Sequence, residues 1–176
     1  MLCFDLDNTL VDSYDVHVFA FQKAFKKRKL MKVSDAFVRK FLSMMADELI
    51  KKIYPELSEE EVREVIEDHN RYVVKYAKRF VKPLPTVKES LKKLKKNYKI
   101  GIISNSSHKE IIATLKAANI SVKTFDVIIG NDEVEHGKPC PDEILKAEKL
   151  VHQHAEYMIG DSPYDVLAGK RAGCKT

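Results

Sequence analysis

The sequence predicts an α/β fold: a three-layer αβα core on a parallel sheet, with an all-helical segment inserted near its start. Three observations predict it. From Pro83 onward, short apolar runs alternate with stretches of helical periodicity, which implies right-handed crossovers between parallel strands covered on both faces. Residues 13 to 82 carry helical periodicity with almost no glycine. Each apolar run also ends in polar side chains, and ligands of open parallel sheets sit outside the carboxyl ends of the strands.

The elements follow in chain order. Residues 2 to 10 read as a strand running into FDLDNTLVDS (4 to 13), which places Asp5, Asp7 and Asp12 within eight residues. Strand side chains alternate, so Asp5 and Asp7 project to one side at the carboxyl end while Leu6 turns into the core. Asp12 and Ser13 read as a hinge and a helix N-cap. Three helices are expected in the inserted segment, at about 13–30, 34–53 and 58–81. Ser58 with Glu61 opens the third as a capping box, and Val62, Val65, Ile66, Tyr72, Tyr76 and Phe80 trace its apolar stripe. Beyond Pro83, Thr86 with Glu89 reads as a capping box for a helix to about Lys96, and Ser107 with Glu110 as another. Residues 98–104, 125–130 and 156–161 read as buried strands, and PDEILKAEKLV as a helix between the last two. The domain boundaries expected from these textures are 1–12 and 83–176 for the core and 13–82 for the helical insertion.

Composition narrows the classes. A chain of 176 residues with 44% hydrophobic residues supports one full domain plus a smaller appendage. No apolar run reaches the roughly 18 residues of a membrane span, and the chain starts in a strand with no signal-type stretch. Cys3, Cys140 and Cys174 are odd in number and far apart, as expected of reduced thiols. A cytoplasmic protein that enters no membrane is the expectation, as a monomer or homodimer.

The strand ends define the chemistry. Asp5 and Asp7 follow the first strand, Ser104 and Asn105 the second, Lys138 the third, and Asp161 and Asp165 the fourth. Like charges held this close need a cation, a shared proton or water. No arginine matches these carboxylates, so a hard divalent cation, Mg²⁺, answers the repulsion. A carboxylate can attack phosphorus to form an aspartyl-phosphate that water hydrolyses. Hydroxyl and N–H groups would hold the phosphoryl oxygens, and a lysine would offset the developing charge.

These residues fall into four ordered stretches: DLDNT (5–9), IISNS (102–106), GKPCPD (137–142) and GDSPYD (160–165). Together they resemble the four motifs of the haloacid dehalogenase superfamily of phosphohydrolases, over the whole chain. Residues 13 to 82 resemble the helical cap that this family inserts after its first motif, as in its phosphoglycolate phosphatase-like branch. The resemblance implies a Rossmann-like core, with Asp5 as nucleophile and Mg²⁺ ligand. It implies Asp7 as acid and base that also gives its carbonyl to the metal, and Thr9 as support for the loop. Ser104 and the N–H of Asn105 would bind the transferring phosphoryl, and Lys138 would bridge it to Asp5. Asp161 would complete the metal site, with Asp165 ligating directly or through water. The family's dehalogenases lack an acid at the position of Asp7, so its presence implies phosphoryl transfer. The family also continues past AGKRAGCKT into a further strand, which predicts here either a very short last strand or a shortened chain.

Competing readings attach to several residues. Ser162, Pro163 and Asp165 also spell a helix start with cap, N1 proline and N3 acid. His136 with Cys140, and His152 with His154, lack a four-ligand zinc spacing and read as surface histidines. Met44 and Met45 read as packing residues of the helical segment. Residues 13 to 82 hold 16 Lys and Arg against 11 Asp and Glu, whereas the rest holds 15 of each. Placed over a metal site, that basic surplus would attract a small anionic phosphorylated metabolite; no nucleic-acid module is recognisable. The expected activity is a Mg²⁺-dependent phosphatase acting on a small phosphate monoester, phosphoglycolate-like. A phosphomutase and a catalytically idle phosphate-binding scaffold are its alternatives.

Overall fold

The computed structural model describes residues 1–176. Its centre is a four-stranded parallel sheet of β1 (Leu2–Phe4), β4 (Ile100–Ser104), β5 (Val127–Gly130) and β6 (Tyr157–Ile159), in the order β5-β4-β1-β6. In register, Cys3 of the central strand faces Gly101 on one side and Met158 on the other. All five residues of β4 are buried, as both faces of a covered parallel sheet require.

Strand alternation sorts the core into layers. Leu2, Phe4, Ile100 and Ile102 pack with Leu91 of α5 (Val87–Leu94) and Ile111 and Leu115 of α6 (His108–Ala117). Cys3, Ile103 and Ile129 face the other way, onto Ile144 and Ala147 of α7 (Asp142–Val151) and Ala168 of α8 (Pro163–Ala172). At the β6 edge, Lys175 forms a single parallel bridge to Tyr157, and its carbonyl accepts from Met158 N at 2.8 Å.

Between β2 (Val11–Asp12) and β3 (Lys82–Pro83) the chain forms α1 (Tyr14–Lys27), α2 (Asp35–Lys40), α3 (Ala46–Ile53) and α4 (Glu59–Phe80). β2 and β3 pair antiparallel, Val11 with Pro83 and Asp12 with Lys82, so the segment leaves and returns at one place. Phe21, Phe25, Val38, Leu49, Ile50, Val62 and Val65 build a separate core among these helices. Val16 and Ala20 of α1 and Val73 and Ala77 of α4 extend instead into the sheet-side core. The capping box at Ser58 forms as read, with Ser58 N donating to Glu61 Oε2 at 2.8 Å.

The structure corrects the sequence reading at four places. The strand expected over residues 2 to 10 ends at Phe4 and gives way to a turn. The helix expected over about 34–53 is two helices, α2 and α3, because Phe41 leaves helical geometry and Met45 is extended at φ −59°, ψ 147°. Thr86 is in the left-handed region at φ 64° and makes no side-chain cap to α5. Ser13 precedes α1 as expected, but its buried hydroxyl makes no cap hydrogen bond.

Candidate active site

The expected residues meet beyond the carboxyl ends of β1, β4 and β6. Asp5 N donates to Ile159 O at 2.8 Å, so the chain past Phe4 remains tied to the neighbouring strand. A turn follows: Asn8 adopts φ 57°, Asn8 N donates to Val11 O at 2.7 Å and Leu10 N to Leu6 O at 2.9 Å. Asp5 and Asp7 thereby line one cavity while Leu6 is wholly buried. Asparagine suits this turn because it tolerates the left-handed region better than most residues.

Lys138 organises the floor. Its Nζ donates to Asp5 Oδ1 and to Asp165 Oδ1, both at 2.6 Å, and all three residues are buried. The peptide bond between Lys138 and Pro139 is cis. Asn105 Nδ2 donates to Lys138 O at 3.0 Å and ties this loop to the end of β4. Ser104, also buried, accepts from Ser106 N at 3.1 Å. Asn105 Oδ1 and Thr9 Oγ1 are buried without a partner.

Both readings of Asp165 describe the same carboxylate. Its Oδ2 accepts from Ser162 N at 3.0 Å and from Ser162 Oγ at 2.6 Å, which closes the capping box of α8. Its Oδ1 simultaneously holds Lys138. Gly160 makes this possible, since a Cβ there would lie 2.2 Å from Asp165 Cγ. Asp5, Asp161 and Asp165 each offer a carboxylate oxygen within 4.8 Å of the others. That donor set, all oxygen and all anionic, fits a hard divalent cation such as Mg²⁺. Asp161 is the exposed member, with Tyr14 Oη donating to its Oδ2 at 3.5 Å.

The two leading aspartates are pushed apart in acidity. Burial raises Asp5 to about 7; Lys138 opposes this, and the Asp165 and Asp7 carboxylates add to it. Burial also disfavours the Asp7 anion, but His17 and the Ser106 hydroxyl outweigh it and hold Asp7 at about 2. The His17 imidazole is raised against its own burial by the Asp7 carboxylate.

Sequence reasoning missed the groups around Asp7. Ser106 Oγ donates to Asp7 Oδ2 at 3.0 Å, and His17 Nε2 lies 3.3 Å from Asp7 Oδ1. His17 Nδ1 then lies 3.2 Å from His69 Nε2, and His69 Nδ1 lies 3.5 Å from Glu110 Oε1. His69 sits on the buried stripe of α4, four residues from both Val65 and Val73. A polar residue at that position of an apolar stripe was the available signal. His136 and His154 are exposed and pair with Asp142 and Glu148.

Residues 2–176 match the family described as haloacid dehalogenase-like hydrolase. The pyrophosphatase PpaX of Bacillus mycoides is 28% identical over 98% of this chain and 80% of its own length. A hydrolase from Pseudomonas syringae superposes with a TM-score of 0.84 at 26% identity, covering 98% of this chain and 81% of that one. A predicted phosphoglycolate phosphatase from Haemophilus somnus shares the fold, with a TM-score of 0.80 at 24% identity over 99% and 82% of the two chains. No helix is long and apolar enough to cross a membrane.

Proposed function

Because the chain belongs to the haloacid dehalogenase-like hydrolase family, we propose that it is a Mg²⁺-dependent phosphatase hydrolysing a small phosphate monoester through a phosphoryl group carried on Asp5. The observation that carries this reading is the buried Lys138 bridging Asp5 and Asp165 at 2.6 Å each, beside Asp7. The likeness to a pyrophosphatase over most of both chains supports phosphoryl chemistry. In this reading residues 13–82 act as a cap over a core formed by 1–12 and 83–176.

Mg²⁺ would be held by the carboxylates of Asp5 and Asp161 and the main-chain carbonyl of Asp7, and when bound it offsets the acidic cluster and polarises the phosphoryl group. Asp165, whose two oxygens hold Lys138 and the cap of α8, would fix Lys138 and reach the metal directly or through water. Ser104 and the N–H of Asn105 hold phosphoryl oxygens, and Thr9 supports the turn after Asp7. Lys138 engages Asp5 Oδ1, leaving Oδ2 to attack phosphorus as the ester P–O bond breaks. The departing oxygen takes a proton that His17 Nε2, 3.3 Å from Asp7 Oδ1, passes on through the Asp7 carboxyl, which is left ionised. In the second step the ionised Asp7 takes a proton from water and returns it to His17; that water attacks the phosphoryl group, releasing phosphate and restoring Asp5.

Hydrolysis of p-nitrophenyl phosphate tests the reading. Turnover is expected with Mg²⁺, lost in EDTA and restored by Mg²⁺ in excess. Asp5→Asn is expected to keep the fold by circular dichroism and to lose far more than tenfold in rate, since an amide is no nucleophile. Residual activity within about tenfold, roughly 1.4 kcal/mol of barrier, would overturn the assignment of Asp5.

A further inference from the structure

The catalytic cavity, about 100 Å³ in volume, has two unlike sides. Its floor is the acidic cluster with Lys138. The side contributed by residues 13–82 presents Phe21, Leu42, Met44, Ala46, Leu49 and Ile66 together with the polar side chains of Tyr14, Ser43 and Asn70 and the imidazoles of His17 and His69. Lys138 is the one lysine or arginine among the 22 lining residues, and its Nζ is already bound between two carboxylates. His17 is likewise engaged by Asp7.

None of the lysines and arginines of residues 13–82 lines the cavity, and several are engaged elsewhere. Lys27 and Arg28 bind Asp68 at 2.6 and 2.8 Å. Lys51 donates to Leu57 O at 2.6 Å and lies 3.1 Å from Glu59. Arg39 pairs with Asp15 and rests over the Tyr14 ring, 5.7 Å from its centroid. The attraction of anions that the bare charge count suggests thus has no counterpart in the wall facing the substrate.

Resting on the phosphatase reading above, we propose that the leaving group of the substrate is uncharged, an alkyl or hydroxyalkyl ester of phosphate with neither a carboxylate nor a second phosphoryl group. The transferring phosphoryl is served by the floor. A second anion held against the wall would lose hydration and find no unpaired cation, and such desolvation is costly. A neutral carbon skeleton loses nothing there and covers the apolar side chains. The wall therefore discriminates by rejecting charge as well as by fitting shape.

The test is a matched set of substrates: the phosphate ester of glycolamide, phosphoglycolate, and pyrophosphate, each with Mg²⁺, for the wild type and Asp5→Asn. The expected result is an Asp5-dependent kcat/KM at least about tenfold higher for the amide than for either charged substrate. Ser43→Arg, at an exposed lining position, should shift the ratio toward phosphoglycolate by about tenfold by supplying the missing cation. A wild type that prefers phosphoglycolate or pyrophosphate overturns the inference and leaves the phosphatase reading standing. An unmoved ratio in a folded Ser43→Arg overturns the assignment of this wall to the leaving group. Absence of Asp5-dependent turnover with all three, and with p-nitrophenyl phosphate, overturns both readings.

Discussion

Glu143 is wholly buried in α7, and neither of its carboxylate oxygens has a hydrogen-bond partner. Burial raises its pKa to about 7; the Lys138 charge opposes this, and Asp5 and Asp165 add to it. The folded state therefore binds a proton that the unfolded chain releases at lower pH. Stability contributed by the protonated form is intact below the unfolded value of about 4.3 and is lost as pH rises toward 7. Glu143→Gln removes that dependence. Urea denaturation should favour the variant by roughly 2–3 kcal/mol more at pH 8 than at pH 5. An equal difference at both pH values would mean that the carboxyl stays neutral or finds a partner. Asp7 separates the two halves of the proposed reaction. Asp7→Asn should slow each by a general acid–base factor of about 10² to 10⁴, least for a leaving group that needs no proton. With p-nitrophenyl phosphate, burst kinetics should show prompt nitrophenolate release and slow turnover, whereas an alkyl ester should give no burst. A burst lost equally with both would show that Asp7 acts through the shape of the metal site.

At the scale of elements, the insertion is fastened where α1 meets α4. Asp68, wholly buried on α4, binds Lys27 at 2.6 Å and Arg28 Nε at 2.8 Å, with Arg71 of its own helix at 3.2 Å. Asp68→Ala leaves those cations without their acceptor and should destabilise the protein by about 1–3 kcal/mol, read by thermal or urea unfolding. A change below about 0.5 kcal/mol would mark the group as a solvated surface pair. The junction of β6 and α8 depends on a different economy of space. Gly160→Ala puts a methyl group where Asp165 lies, with 2.4 Å to Oδ2. The carboxylate must move, taking the α8 cap and Lys138 with it. Turnover should fall by about 10²-fold, because displacement of about 1 Å in catalytic groups has that effect. Activity within threefold of wild type would show that the Lys138 contact is dispensable.

Across the whole molecule, the gathering of the proposed site residues at strand ends was legible because strand position fixes it. Asp5, Lys138 and Asp161 follow β1, β5 and β6 and Ser104 ends β4, and the sheet order β5-β4-β1-β6 gathers those ends into one cavity. The capping boxes at Ser58, Ser107 and Ser162 were equally legible, being local in sequence. What the chain hid was set by tertiary packing. Thr86 and Glu89 have the spacing of a cap, but the turn out of β3 places Thr86 at φ 64°, where its hydroxyl cannot reach α5. His17 and His69 lie 52 positions apart and meet only because α1 and α4 pack side by side. The basic surplus suggested an attracting surface, yet its direction depends on ion pairs such as that of Arg28 with Asp68. The central claim, that Asp5 carries the phosphoryl group, is tested most directly by acid-quenching Asp7→Asn during turnover of p-nitrophenyl phosphate with Mg²⁺ and mapping the modification by peptide mass spectrometry. The account predicts one phosphoryl group on Asp5, absent without Mg²⁺ and absent in the double variant with Asp5→Asn. Turnover with no phosphoryl on Asp5 at any quench time, or phosphorylation at another residue, would contradict it.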